Sequence, residues 1–312
     1  MDKDKRVIYG TMGLGGGWDR NPVTKAAVTL ATEALDTAYE EGIRTYDLAD
    51  IYQFGKSDIC FGKWIKHNKA IRPNLFIQTK ASIELPTGQS ATQYNWSSDH
   101  LVESVLGSLK RTGLSHFDRL LLHRYDHLVD VADLAKVIRF LKDEGLVKSF
   151  GVSNMGLAQM TFLEEVTGEA FGVNQLQMSL GHLAFLDHVT DLNTHHQANF
   201  PQGVIEAAIM GNMELQAWSP MAQGQFSGNI KKDAPERIFK TSERVEQLSS
   251  AYGVSPTSLV LAWLMNHPAN IRPVIGTTNK QRIADSLQGQ GLRLSRQDWY
   301  SLYETARGVP LP

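Results

Sequence analysis

Short apolar runs alternate with longer stretches of helical spacing from one end of the chain to the other. Val7-Ile8-Tyr9 is the first run, and a glycine-rich turn, Gly13-Leu14-Gly15-Gly16-Gly17, follows it. Residues 24–41 then place Ala27, Leu30, Ala34, Leu35 and Ala38 on one helical face, and Gly42 stops the pattern. The spacing predicts strands at 43–47, 75–80, 119–123, 149–153, 172–177, 214–218 and 272–276, each followed by helix. The helices fall at 56–67, 99–110, 131–142, 157–166, 203–210, 241–252, 257–266 and 280–288, and a C-terminal helix at 295–307. Ser98 or Asp99 reads as the N-cap of the helix at 99–110, and the polar stretch 82–98 reads as loop. With the run at Val7 there are eight βα units. Regular alternation of this kind predicts a parallel sheet, and eight units close most naturally as a (β/α)8 TIM barrel in a single domain over 1–312.

Strand cores are apolar, so a titratable residue at the last position of a strand points to a shared rim. Asp47 ends the second run, Lys80 the third and His123 the fourth; Tyr52 lies one loop beyond Asp47. Each has an ordinary explanation when taken alone. A tyrosine packs, a lysine reaches for water, a histidine is structural and an aspartate caps a helix. Together they stand on neighbouring staves roughly 5 Å apart, so their polar heads can converge on one proton-transfer site.

Composition narrows the class. The chain has 312 residues with 31 Lys plus Arg against 33 Asp plus Glu, so there is no broad basic field for nucleic acid or anionic lipid. Cys60 is the single cysteine, which excludes an intrachain disulfide and suits a reducing compartment. The start, Met1 to Arg6, is charged and leads into no signal-like apolar region, and the apolar stretch at 259–265 is too short to span a bilayer. The expectation is a soluble cytoplasmic protein acting on a small molecule.

At these residues the sequence resembles the aldo-keto reductase family. Tyr46-Asp47-Leu-Ala-Asp-Ile-Tyr52 is similar to the segment carrying that family's catalytic Asp and Tyr, Ile77-Gln-Thr-Lys80 to its Lys strand and Leu121-Leu122-His123 to its His strand. Gly151-Val-Ser-Asn154 and Asn174-Gln175 resemble its nicotinamide-carboxamide contacts, and Ala217-Trp-Ser-Pro220 its stacking aromatic and neighbouring serine. The stretch from Val274 to Arg282 resembles its adenosine-phosphate segment. Seven motifs occur in the right order over nearly the whole chain. The resemblance implies an NADPH-dependent oxidoreductase that reduces aldehydes or ketones. It implies cofactor contacts from Met12, Asp47, Ser153, Asn154, Gln175, Trp218, Ser219, Pro220, Met221, Gly224, Gly276, Thr277, Thr278 and Arg282. Many members carry Lys or Arg where this chain has Gly276; Thr277, Thr278 and Lys280 lie beside it.

The chemistry of the four residues agrees with that reading. Hydride addition to a carbonyl leaves an alkoxide that needs a proton. A phenol with an unperturbed pKa of about 10 supplies it once a nearby ammonium pulls its pKa down. Tyr52 is therefore the expected acid, Lys80 its tuning group, Asp47 the partner of Lys80, and His123 the donor that orients the carbonyl. Arg282 starts the helix after the last strand, where an anion gains from both guanidinium and helix N-terminus, so it is the expected holder of a 2′-phosphate.

Other signals carry less. Gly10-Thr-Met-Gly13-Leu-Gly15 imitates a dinucleotide fingerprint, but 18–22 intervene before any helix. Tyr52-Gln-Phe-Gly-Lys56 has the spacing of a short-chain dehydrogenase pair without its N-terminal fingerprint. His182, His188, His195 and His196 lack the spacing of a metal site, and none is expected. Two rival functions stand beside the reductase: a Schiff-base lyase using Lys80, and a non-catalytic NADPH-sensing module. Substrate walls are expected from Trp18, Trp96 and Phe226, from the loops 82–98 and 223–235, and from the C-terminal tail. The residues leave the physiological substrate and the oligomeric state open.

Overall fold

The structure, a computed structural model, describes residues 6–88, 90–192, 194 and 198–312. The start of the chain before Arg6, and His195 and His196 among the histidines considered above, lie outside the described residues.

Ten strands and eleven α-helices are present among the described residues. In chain order they are β1 (Ile8–Gly10), α1 (Lys25–Glu40), β2 (Thr45–Asp47), α2 (Lys56–His67), β3 (Phe76–Ala81), β4 (Ile83–Glu84), β5 (Gln93–Tyr94), α3 (Ser98–Thr112), β6 (Arg119–Leu122), α4 (Val131–Asp143), β7 (Phe150–Ser153), α5 (Leu157–Thr167), β8 (Val173–Gln177), α6 (Ala184–Thr190), α7 (Val204–Ile209), β9 (Glu214–Trp218), α8 (Glu236–Tyr252), α9 (Pro256–Met265), β10 (Arg272–Ile275), α10 (Lys280–Gln288) and α11 (Arg296–Arg307). Eight strands form a closed (β/α)8 barrel in the order β1-β10-β9-β8-β7-β6-β3-β2. By its contacts the chain divides into two compact units.

The first unit comprises Ile8–Gln175 with Gly276–Lys280. The Thr24 hydroxyl caps α1 by accepting from the Ala27 N–H at 3.1 Å, and its buried stripe is Ala31, Ala34, Leu35 and Ala38; of the face read from the sequence, Leu30 instead stands half exposed. Register then decides which side chains share a face. Asp47 pairs with Gln78, Lys80 with Leu121, and Ser153 with Gln175. Lys80 lies two residues beyond Gln78, so both project from the same face as Asp47. The backbone carries this alignment past the strand ends: Leu48 donates to Gln78 O at 2.9 Å, Asp50 to Lys80 O at 3.1 Å and His123 to Ala81 O at 2.9 Å.

The second unit comprises Leu176–Ile275 and Gln281–Pro312 with the N-terminal residues up to Val7. Two of its helices are joined by aromatic rings. Trp263 of α9 and Trp299 of α11 stack with ring centroids 5.3 Å apart at 16°, and each indole N–H donates to the other residue's carbonyl, at 3.1 and 2.9 Å.

The structure corrects several boundaries. The N-cap of α3 is Ser97, whose hydroxyl accepts from His100 N at 3.3 Å, because the helix begins one residue earlier than its apolar spacing. The expected loop 82–98 contains the short hairpin β4–β5. Helix α6 was not anticipated, and α8 starts at Glu236 rather than Thr241. Both differences fall where helical turns bury few side chains, so the apolar period is weak.

Candidate active site

Lys80 sits at the centre of the first unit with 1% of its surface exposed, beside Asp47 at 2%. Its ammonium has three hydrogens and three acceptors: Asp47 Oδ2 at 2.6 Å, Leu48 O at 3.1 Å and Tyr52 Oη at 2.9 Å. The other carboxylate oxygen of Asp47 accepts from Gln78 Nε2 at 2.7 Å and Gln175 Nε2 at 3.1 Å. A buried charge pair is tolerable only when its remaining hydrogen-bonding capacity is met, and this one is met by amides that register delivers.

Tyr52 is 8% exposed and sits in a tight turn after β2. Its ring meets that of His123 edge-on, with centroids 6.1 Å apart at 82°. His123 is partly exposed, and its Nδ1 is buried without a partner. Nε2 is therefore the nitrogen left to face a ligand.

Protonation states follow from burial and charge. Burial raises the Tyr52 phenol above its usual value; Lys80 pulls it down, Asp47 pushes it up, and the net shift is upward. Lys80 pulls the phenol down as expected, and burial of the side chain outweighs it. The proton therefore stays on Tyr52 at neutral pH, which is the form an acid must have. Burial works against the Lys80 ammonium, yet Asp47 and Tyr52 overcome it and raise its pKa, so it is charged. Burial, then Lys80 and Arg124, hold His123 well below the usual imidazole value, so it is neutral.

Each unit carries further residues expected from the sequence. In the first, Ser153 donates to Gln175 O at 2.8 Å, and Asn154 Nδ2 donates to the Ser153 hydroxyl at 2.8 Å. Ser153 and Gln175 are buried, while Asn154 is partly exposed with φ at 59°, a left-handed conformation that turns it off the strand end. Asn174 is buried and braces the loop by donating to Met155 O at 2.7 Å. Met12 is half exposed, and its carbonyl accepts from Gln53 at 2.9 Å. Gly276, Thr277 and Thr278 form the turn before α10, where the Thr277 hydroxyl accepts from Asn279 N at 3.2 Å. In the second unit Trp218 ends β9 partly exposed. The turn of Ser219, Pro220, Met221 and Gly224 after it holds Ser219, Ala222 and Gln223 at φ of 51°, 45° and 61°. Arg282 is exposed in the first turn of α10.

Of the three expected substrate walls, Trp18 alone offers a surface, at 49% exposure. Trp96 is 1% exposed, its indole donating to Arg124 O at 3.0 Å, and Phe226 is 0% exposed. Both are packing residues here, because their rings face protein on all sides. Among the described residues no cluster of three or more His, Cys, Asp or Glu has a metal-binding arrangement, and no helix is long and apolar enough to cross a membrane. Sequence reasoning missed Gln78 as a ligand of Asp47. The signal was an amide inside an apolar strand, two residues before the lysine.

The aldo/keto reductase family model matches residues 6–306. The 6-dehydroglucose reductase of Agrobacterium fabrum is 30% identical over 308 residues, 97% of this chain and 94% of that protein. Solved structures share the fold, two of them over nearly the whole chain. The glycerol dehydrogenase of Gluconobacter oxydans has a TM-score of 0.79 at 19% identity, covering 100% of this chain and 98% of its own. The aldo-keto reductase from Klebsiella pneumoniae in complex with NADPH has a TM-score of 0.72 at 19% identity, covering 98% and 92%. The chain belongs to the aldo/keto reductase family and is an NAD(P)H-dependent oxidoreductase.

Proposed function

We propose that this protein reduces an aldehyde or ketone to the alcohol with NADPH, using Tyr52 as general acid. The observation that carries the reading is the 2.9 Å bond from Lys80 Nζ to Tyr52 Oη, with Asp47 2.6 Å behind the lysine. The bound nicotinamide supplies the hydride. Tyr52, held protonated by burial, gives its proton to the carbonyl oxygen, and the adjacent ammonium stabilises the tyrosinate left behind. Neutral His123 donates from Nε2 to the same oxygen and fixes its direction.

The residues fit a nicotinamide dinucleotide. Asn154 offers an amide at the strand rim, supported by Ser153 and Gln175, and Trp218 a flat face for a ring. Thr277, Thr278 and the exposed Arg282 at the start of α10 offer donors to a phosphate, as a helix N-terminus does generally. The Schiff-base alternative fares worse: all three ammonium hydrogens of Lys80 are engaged and its pKa is raised, whereas a nucleophilic amine must shed its proton.

Loss of NADPH absorbance across a panel of aldehydes, ketones and quinones tests the activity. Tyr52→Phe should lower the rate about 10²–10⁴-fold with cofactor affinity nearly unchanged. Undiminished turnover in that variant removes Tyr52 as the acid. Tight NADPH binding with no turnover anywhere in the panel favours a sensing module. Arg282→Ala should weaken NADPH far more than NADH; equal weakening means the guanidinium meets no 2′-phosphate.

A further inference from the structure

The turn that carries Tyr52 is unusual in its backbone. Gln53, Phe54 and Gly55 are consecutively left-handed, with φ of 52°, 57° and 82°. Only the last is a glycine, and each non-glycine residue held there costs on the order of 1 kcal/mol. Such a turn persists only when its surroundings hold it. On one flank Gln53 donates to Met12 O at 2.9 Å, and Ser57 Oγ is bonded to Thr11 O at 2.9 Å. On the other flank stands a side chain that the proposed mechanism does not use.

Arg111, near the end of α3, reaches across to this turn. Its Nη2 donates to the Asp50 carbonyl at 3.2 Å, two residues before Tyr52, and to Asp58 Oδ2 at 2.9 Å and Ser108 Oγ at 2.9 Å. Its Nε donates to Asp58 Oδ2 at 3.1 Å, and Ser108 Oγ donates to the same oxygen at 2.8 Å. Asp58 is fully buried on α2, and its Oδ1 has no partner. Burial raises its carboxyl to about 7, with Arg111 the strongest influence pulling it back. Packing is tight enough to fix the guanidinium. A Cβ on Gly55 would lie 2.8 Å from Arg111 Nε, and a Cβ on Gly62 of α2 would overlap the Arg111 carbonyl. Helices α2 and α3 thus approach closely enough to hold one guanidinium against the turn.

The geometry points to Arg111, anchored by Asp58, as a positioning residue that holds the left-handed turn so that the Tyr52 hydroxyl stays against Lys80. The inference rests on Tyr52 being the acid. It adds a residue outside the site, acting through the backbone at Asp50 rather than on substrate or cofactor. Asp50 N is itself bonded to Lys80 O at 3.1 Å, so the same peptide segment is tied to the lysine strand on one side and to Arg111 on the other.

The test uses the full chain and the carbonyl compound that the panel shows to be turned over fastest. Arg111→Met should lower kcat about 100-fold, the usual result of a small misplacement of a reacting group, with KM and the NADPH dissociation constant within about twofold. Arg111→Lys keeps a cation for Asp58 but is a point charge without the fork that spans to Asp50. It should keep its melting temperature, lose kcat and move the limb of the pH–kcat profile that reports Tyr52. Asp58→Asn combined with Arg111→Met should be no worse than Arg111→Met alone, because both remove one device. A kcat within about twofold of wild type in Arg111→Lys, an unmoved profile, or a kcat loss matched by lost cofactor binding overturns the inference. Tyr52→Phe run in parallel separates the two readings. If it stays active, the acid assignment fails. If it is inactive while Arg111→Lys is not, only the role of Arg111 fails.

Discussion

Each unit of the molecule holds a pair of opposite charges built on a buried cation, and the two pairs make contrasting use of it. In the first unit Lys80 meets Asp47 at 2.6 Å and donates one further hydrogen to the phenol of Tyr52. In the second, Arg272 meets Glu214 at 3.0 Å and donates to the Arg6 carbonyl at 3.1 Å, fastening the N-terminal arm beside β9 and β10. Lys80 and Asp47 are 1% and 2% exposed as side chains, Arg272 and Glu214 5% and 18%. Burial alone does not separate the pair proposed to serve a reaction from the one that fastens the fold. The identity of the third partner does: a titratable hydroxyl converts a costly ion pair into a means of stabilising charge that appears during a reaction.

The sharpest break of this contrast is substitution of each cation. Lys80→Met leaves a carboxylate buried without its counter-charge and should cost about 3–5 kcal/mol of stability, together with nearly all turnover. Arg272→Met should also lower stability, by less because Glu214 reaches solvent, and should leave kcat per folded molecule unchanged. Denaturant titration and single-turnover rates read both. Equal loss of kcat in the two variants would erase the distinction.

A smaller effect concerns two partly exposed imidazoles. His123 in the first unit is held well below its usual pKa, chiefly by burial, and His267 in the second is lowered by burial to about 4. A base depressed in the folded state is protonated more readily when unfolded. Stability is therefore lost as pH falls below the unfolded value of about 6.5 toward the folded one. His123→Gln and His267→Gln should each flatten the fall in melting temperature between about pH 7 and pH 5. Only the first should lower kcat. A kcat loss in His267→Gln would show that the distinction between the two regions is not local.

Much of the frame was legible because its signals are local. Apolar period gave the eight barrel strands, Thr24 and Ser295 stand where side chains cap α1 and α11, and the strand-end positions of Asp47 and Lys80 bring them into contact. What escaped was set by register and close approach. Gln78 and Gln175 bond Asp47 because the strands pair Asp47 with Gln78 and Ser153 with Gln175, which no single segment encodes. The upward shift of Tyr52 depends on how completely its turn is covered, and Trp96 reads as a loop aromatic until Arg124 is seen to accept its N–H. Arg111 and Asp58 stand 53 positions apart, each unremarkable on its own helix.

The stacked indoles of Trp263 and Trp299 carry a practical consequence. Two chromophores locked nearly parallel at 5.3 Å couple their electronic transitions, so α9 against α11 should add an indole contribution to the circular dichroism of the folded protein. Trp263→Phe should remove that contribution and leave the signal of Trp64 and Trp96 in the first unit. The contribution gives an optical clock for the docking of the two helices, readable independently of any assay of turnover.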